Sequence, residues 1–219
     1  MTPDARPVLY SFRRCPYAMR ARMAIAASNT ICEIREVSLK DKPEGMVTAS
    51  PKATVPVLVM ADDTVIDQSL EIMLWTLGQN DPHGWLTPET GDLDAMLALI
   101  DQTEDPFKIH LDRYKYSVRY EGADPAFHRT EAVKFLEALD SRLEDTIHLF
   151  GDRPALADYA IFPFIRQFAN TDRDWFDALS LPALQAWLET HLASDLFKSI
   201  MAKRAFWHSG QVPELFPSA

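Results

Sequence analysis

The sequence predicts an α/β domain followed by an all-helical domain, and two observations lead to this fold class. Short apolar or alternating runs, which are typical of strands, occur before residue 80, beginning with residues 8–11. From residue 92 onward the apolar residues follow helical spacing. Residues 80–91 have the composition of a linker. We therefore assign residues 1–79 to the first domain and residues 92–219 to the second.

The first domain is predicted to contain a strand, a helix, a second strand, a hairpin and a second helix. A helix over residues 16–28 separates the strand at residues 8–11 from an alternating strand at residues 31–39. This order favours two parallel strands joined by a right-handed crossover. A turn at residues 61–64 joins two further short strands into a hairpin. A helix over residues 67–77 follows the hairpin.

The second domain is predicted to consist of helices. The first of them begins near residue 92, and Pro106 should break or kink it, because proline lacks an N–H and clashes with the preceding turn. The apolar spacing then predicts further helices over residues 124–147, 158–168, 182–192 and 195–204.

One of these helices carries an incomplete capping box. Such a box needs a hydroxyl residue three positions before the acid, and Ala155 stands three positions before Asp158. We therefore expect Asp158 to be a structural residue at a helix end of reduced stability.

The composition and net charge of the chain limit the kinds of partner that it is expected to bind. The 219 residues are 47% hydrophobic and 25% charged, as in an ordinary soluble globular protein. The net charge of −10 argues against nucleic acid as the main partner, because phosphate backbones are bound by basic surfaces. The sequence has neither a polybasic anchor nor an apolar run of about 18 residues, so we expect no membrane association. Its start has no apolar h-region, which predicts a cytoplasmic location.

The stretch around Cys15 is the main candidate for chemistry. Cys15 lies between the first strand and a helix that begins at Pro16, where several backbone N–H groups have no intrahelical partner. The positive end of the helix favours a thiolate, and Arg13 and Arg14 add positive charge. Cysteine is more often an inert buried residue. Here the proline, the turn and the basic flank favour a nucleophile.

The other cysteine and the histidines give weaker signals. Cys32 lies in an alternating run and is interpreted as a core residue, with redox partnership as the alternative. Two cysteines imply no disulfide framework. The six histidines show no zinc-ligand spacing, so no metal is predicted. His83, His128 and His191 are predicted to be surface or loop residues.

Three motifs of the first domain resemble those of the cytosolic glutathione transferases, and specifically the cysteine-type branch with omega-like and glutaredoxin-like members. They are Cys15-Pro-Tyr-Ala18, Val55-Pro56 and Gln68-Ser69. The resemblance covers the whole chain, and the order and spacing of the motifs make it specific. It implies a thioredoxin-like N-terminal domain, a helical C-terminal domain, glutathione as cosubstrate and a homodimer.

The resemblance also implies a role for each motif. Cys15 takes the catalytic position beside the sulfur of glutathione. The backbone of Val55, before a Pro56 that is cis in this family, pairs with the cysteinyl part of glutathione. Gln68 and Ser69 bind the γ-glutamyl end, where a helix N-terminus favours a carboxylate. Lys42 matches an omega-like lysine that reaches the glycyl carboxylate, with a solvated loop lysine as the alternative.

An acceptor pocket is expected between the two domains. Its candidate residues are Tyr17, Phe107, His110, Leu111 and Tyr114, with Trp175 and Trp207 as further aromatic candidates. The alternative for Phe107 and Leu111 is that they belong to the core between helices.

The expected chemistry follows from a monothiol. Ala18 stands where dithiol glutaredoxins have a second cysteine, so Cys15 has no local resolving thiol. We expect glutathione-dependent thiol transfer, either removal of glutathione from mixed disulfides or reduction of small oxidants such as dehydroascorbate. A second glutathione would then regenerate the thiolate. The alternatives are a conjugating transferase and a binding or regulatory module of the same fold without catalytic activity.

The position of Cys15 predicts a reactive thiol. We expect its pKa to lie below the usual value of about 8.5, because the helix end and the neighbouring arginines stabilise the thiolate. The rate of alkylation measured against pH checks this, with Cys15→Ser as the control for labelling at Cys32. A midpoint at or above the usual value would contradict the expectation.

Overall fold

The computed structural model describes residues 6–217, which form two compact units. Residues 6–83 and 195–217 make up the first unit, and residues 84–194 make up the second. The sequence placed residues 195–217 with the second domain, whereas the structure places them in the first unit. The reason is that this segment packs on a helix of the first unit and adds a strand to its sheet.

The first unit is built on a five-stranded mixed sheet. Its strands are β1 (Val8–Ser11), β2 (Cys32–Glu36), β3 (Val57–Val59), β4 (Val65–Ile66) and β5 (Leu215–Phe216). They are arranged in the order β4-β3-β1-β2-β5. Strands β1 and β2 are parallel, which confirms the predicted parallel pairing, and the other neighbouring pairs are antiparallel. The hairpin of β3 and β4 is also confirmed.

The helices occur in both units. In chain order they are α1 (Pro16–Ala27), α2 (Glu44–Ala49), α3 (Ser69–Gln79), α4 (Leu93–Gln102), α5 (Lys108–Lys115), α6 (Pro125–Arg142), α7 (Leu156–Ala169), α8 (Arg173–Asp177), α9 (Pro182–Ala193) and α10 (Asp195–Ile200). In the first unit, α1 packs against α3 and α10. In the second unit, nearly all of α7 is buried. No helix within residues 6–217 has the length and apolar character needed to cross a bilayer.

The predicted break at Pro106 is confirmed. A kinked segment, Thr103–Phe107, separates α4 from α5. Within it Asp105 has φ −154° and ψ 113°, which is extended rather than helical. The residue before a proline is driven out of the helical region by contact with the proline ring. The two helices therefore have separate axes although the apolar period continues across the turn.

Asp158, in the first turn of α7, is fully buried and accepts three hydrogen bonds. Its Oδ2 accepts the N–H of Ala155 at 2.8 Å, which is the acid half of the capping box. Its Oδ1 accepts the N–H of Leu149 at 2.9 Å and the indole Nε1–H of Trp187 at 2.8 Å. From the sequence we expected the N-terminal end of α7 to be weakly stabilised, because Ala155 has no hydroxyl. Two donors outside the helix add contacts that the sequence pattern did not reveal.

Replacing Asp158 with alanine should destabilise the protein strongly. Three buried N–H donors would lose their acceptor, and we expect a loss of about 4 kcal/mol in the free energy of unfolding. The matched control is Asp92→Ala, because Asp92 caps α4 through one exposed bond to the N–H of Ala95. That change should cost about 1 kcal/mol. Urea unfolding measures both, and equal losses would contradict the account of Asp158.

Candidate active site

Cys15 occupies the position that the sequence predicted, between β1 and the first residue of α1. Its backbone is extended, with φ −76° and ψ 123°, and Pro16 begins the helix. The thiol is half-buried. It donates to the carbonyl oxygen of Val55, with 3.6 Å between Sγ and that oxygen. The sulfur therefore lies at the positive end of α1 and beside the backbone that precedes β3.

The turn that carries Cys15 is held by Arg22, a fully buried residue of α1. Its Nη1 donates to the hydroxyl of Ser11 at 2.6 Å and to the carbonyl of Phe12 at 3.3 Å. Its Nη2 donates to the carbonyl of Arg13 at 2.8 Å, and its Nε to the carbonyl of Ile200 at 3.1 Å. One guanidinium thus fixes the end of β1, the turn before Cys15 and the end of α10.

Arg22 and Glu36 form a buried charged layer under this turn. Burial lowers the pKa of Arg22 to about 10, while the charges of Glu36 and Cys15 oppose the shift. Burial raises the pKa of Glu36, and the hydrogen bond from the Arg13 N–H, at 2.7 Å from Oε1, opposes that rise. Sequence reasoning missed both residues. The available signal was an arginine on the apolar face of α1, four residues after Ala18.

The residues predicted to bind glutathione belong to the same unit as Cys15. Val55 and Pro56 are buried, and the peptide between them is cis, as the resemblance implied. Gln68 is the exposed residue before α3, and Ser69 is the buried first residue of that helix. The hydroxyl of Ser69 accepts the Nε–H of Arg20 at 2.9 Å, which links α1 to the N-terminus of α3.

Two further predicted residues lie in this unit. Tyr17 is half-buried on α1, with the guanidinium carbon of Arg20 5.2 Å from its ring centroid. Lys42 is exposed in the loop before α2. Sequence reasoning missed an ion pair at Asp67, the residue before Gln68, in which Lys52 Nζ lies 2.7 Å from Asp67 Oδ1. Lys52 and then the Ser50 hydroxyl lower the pKa of Asp67.

The candidate acceptor residues of the second unit do not share one environment. Phe107 and Leu111 are fully buried, and the ring of Phe107 lies 5.0 Å from that of Phe135 and 5.8 Å from that of Phe168. These two residues fit the core interpretation. The half-buried His110 places its Nδ1 2.9 Å from Nδ1 of His128 on α6.

The remaining aromatic candidates are half-buried. The ring of Tyr114 packs 5.4 Å from that of Phe168, between ring centroids. Trp175 lies under the guanidinium of Arg129, at 4.3 Å. In the first unit, Trp207 lies under Arg35 at 4.4 Å.

The core interpretation of Cys32 is confirmed. Cys32 is completely buried on β2, and burial raises the pKa of its thiol to about 12. A thiol with that pKa remains protonated at neutral pH and is a poor nucleophile.

The prediction for His191 was wrong, because this residue is buried on α9. It lies on the same helix face as the buried residues Leu184, Trp187 and Leu188, so helical spacing carries it into the core. In the second unit it comes together with His148 and Asp158, and one nitrogen or oxygen atom of each of the three residues lies within 4.8 Å of the other two. His83 is exposed, which agrees with the prediction of a surface or loop residue. His128 is half-buried on α6.

Comparisons with known proteins agree over most of the chain. A model of the glutathione S-transferase N-terminal domain matches residues 9–84, and a model of the C-terminal domain of the same family matches residues 90–190. Glutathione S-transferase omega-1 of Mus musculus is 25% identical over 167 residues, which cover 75% of this chain and 68% of the relative. Glutathione S-transferase omega-2 of Rattus norvegicus is 37% identical over 68 residues, which cover 31% of this chain and 27% of that relative.

Solved structures show the same fold. A glutathione transferase family member from Pseudomonas fluorescens, crystallised with two glutathione molecules bound, has a TM-score of 0.78 at 16% identity and covers 92% of this chain and 94% of its own. Glutathione transferase Omega 3C from Trametes versicolor has a TM-score of 0.75 at 17% identity and covers 94% of this chain and 87% of its own.

Replacing Arg22 with methionine should destabilise the turn that carries Cys15. The carbonyls of Arg13 and Ile200 and the hydroxyl of Ser11 would lose their buried donor, and we expect a loss of about 3 kcal/mol in the free energy of unfolding. The control is Arg14→Met, an exposed residue in the same turn, with an expected change within about 0.5 kcal/mol. Urea unfolding measures the difference, and a stable Arg22→Met protein would contradict the role assigned to the guanidinium.

Proposed function

We propose a thiol-transfer reaction for this chain, which belongs to the glutathione S-transferase family and is a glutathione transferase. The observation that carries the proposal is a half-buried cysteine at the N-terminus of α1, with its sulfur 3.6 Å from the carbonyl oxygen of Val55. A hydroxyl in this position would activate the thiol of glutathione. A thiolate in this position instead attacks sulfur.

In the first step the thiolate of Cys15 attacks the glutathionyl sulfur of a mixed disulfide. A Cys15–glutathione disulfide forms, the original sulfur–sulfur bond breaks, and the substrate leaves as a thiolate that takes a proton from water. In the second step the thiolate of a second glutathione attacks the glutathionyl sulfur held by Cys15. Oxidised glutathione leaves, and Cys15 returns to its thiolate form. The substrate sulfur leaves with the electron pair of the broken disulfide bond, and the thiolate of the second glutathione supplies the electron pair of the new one, so no other reductant is needed.

The surroundings of Cys15 support a second glutathione as the resolving thiol. Ala18, one turn into α1, carries no sulfur. The thiol of Cys32 is buried, with its pKa raised to about 12, so it is a poor candidate to attack a mixed disulfide. The protein therefore depends on free glutathione for turnover.

We propose that glutathione lies along the backbone of Val55, with its γ-glutamyl carboxylate at the N-terminus of α3. The N–H groups at the start of a helix favour a carboxylate, and Gln68 and Ser69 stand at this start. Arg20, which donates to the hydroxyl of Ser69, adds positive charge nearby. We assign the glycyl carboxylate to Lys42, whose exposed position leaves its ammonium group accessible.

Glutathione binding is also supported by structural neighbours. The Pseudomonas fluorescens protein was solved with two glutathione molecules bound, and the transferase URE2P6 from Phanerochaete chrysosporium was solved with oxidised glutathione. We infer the same ligand for this chain.

Homodimerisation and a cytoplasmic location are inferred from the family resemblance. Tyr17, two residues after Cys15, is the acceptor contact that we favour.

The proposed role of Cys15 is tested by Cys15→Ser. This protein should still be retained on immobilised glutathione, but its reduction of a glutathionylated substrate should fall roughly a thousandfold or more, because a serine hydroxyl is not ionised at neutral pH. The matched control is Cys32→Ser, which should keep the activity of the original protein. Retention of both proteins without thiol transfer by the original chain would favour a binding module. Efficient conjugation of electrophiles by the original chain would favour the conjugating transferase.

A further inference from the structure

The second unit contains a buried group of two histidines and one carboxylate that comes from three separate segments. His148 lies in the loop between α6 and α7, Asp158 in the first turn of α7, and His191 in the last turn of α9. Their exposed fractions are 7%, 0% and 3%. None of them has a part in the proposed thiol transfer.

The ring nitrogens of this group face one carboxylate oxygen. Nδ1 of His148 lies 3.7 Å from Oδ1 of Asp158, and Nε2 of His191 lies 3.9 Å from the same oxygen. Both distances exceed the range of about 2.7–3.2 Å for a hydrogen bond. Both nitrogens are buried, and neither has a hydrogen-bond partner among residues 6–217. Buried polar atoms are nearly always satisfied, so two such nitrogens aimed at one oxygen point to a missing ligand.

We propose that His148, Asp158 and His191 bind a divalent transition metal of the zinc class. Zinc binds imidazole nitrogen and carboxylate oxygen at about 2.0–2.2 Å, which places neighbouring ligand atoms of a tetrahedron roughly 3.4 Å apart. The three ligand atoms here lie within 4.8 Å of one another. Each nitrogen would need to move a few tenths of an ångström toward Oδ1, and the two nitrogens, which lie within 4.8 Å of each other, would also need to approach one another. Two histidines and one carboxylate leave the fourth position of a tetrahedron for a non-protein ligand.

The surroundings would also hold the ligands in place. Three N–H groups bind the carboxylate of Asp158 and fix its orientation, as the outer partners of metal ligands commonly do. Two of them, from Leu149 and Trp187, bind Oδ1, so the metal would replace one of these hydrogen bonds. The ring of His191 is stacked on Phe162, with 5.2 Å between centroids, and meets Trp187 edge-on at 4.9 Å. These aromatic rings restrict the rotation of the imidazole. The metal would join the loop of His148 to α7 and α9, which is a structural role independent of the thiol-transfer proposal.

The test is a titration of the full-length chain with Co²⁺ after removal of metal by a chelator. A Cys15→Ser background excludes binding by the reactive thiol. We expect one equivalent of Co²⁺ to bind with visible absorption typical of nitrogen and oxygen ligands. We expect Zn²⁺ in hundredfold excess over its dissociation constant to raise the unfolding midpoint by about 5 °C or more. Absence of stoichiometric binding of either ion would overturn the proposal.

Single variants assign the ligands. His148→Gln and His191→Gln should each lower the affinity for Co²⁺ at least tenfold and remove the Zn²⁺-dependent rise in the unfolding midpoint. The control is His110→Gln, which changes the other histidine pair of this unit, at 2.9 Å, and should leave Co²⁺ binding intact. If His191→Gln fails to fold, His148→Gln at the loop still decides the question. Unchanged Co²⁺ binding in His148→Gln would place the metal elsewhere and overturn the assignment.

Discussion

The first unit depends on a guanidinium group that has been withdrawn from water. Burial of such a charge is costly, and Arg22 offsets the cost by donating to backbone carbonyls at the end of β1 and α10 and to the hydroxyl of Ser11. The same bonds satisfy carbonyls in an irregular turn that no strand or helix could satisfy. The position of the sulfur of Cys15 is therefore determined by a residue seven positions later in the chain.

The fold class and the elements nearest the cysteine could be predicted because their signals are local. Pro16 indicates a helix start, alternation predicts β2, and Pro106 drives Asp105 out of the helical region. The placement of residues 195–217 could not be predicted. Strand β5 has only two residues, and its pairing with β2 spans most of the chain, so no sequence window contains both partners.

The residues of the candidate site also divide into those that local sequence signals indicate and those that depend on tertiary packing. The family resemblance implied the roles proposed for Cys15, Gln68 and Ser69, and the structure places all three residues at helix starts. The sequence could not decide whether Phe107 belongs to a pocket or to the core, because helical spacing is the same for both kinds of residue. The structure shows that Phe107 is buried. His191 was misassigned because a single polar residue on an apolar helix face carries no sign of the partners that tertiary packing brings to it.

Strand β5 and α10 also bear on how this protein can be divided. A fragment that ended near residue 83 would contain every residue we assign to glutathione, and it would look like a complete domain in the sequence. It would nevertheless leave β2 as an open sheet edge, a known route to aggregation. It would also remove the carbonyl of Ile200 that accepts from Arg22. The first unit is thus a discontinuous piece of the chain, and it can be isolated intact only if its two segments are joined by a new connection.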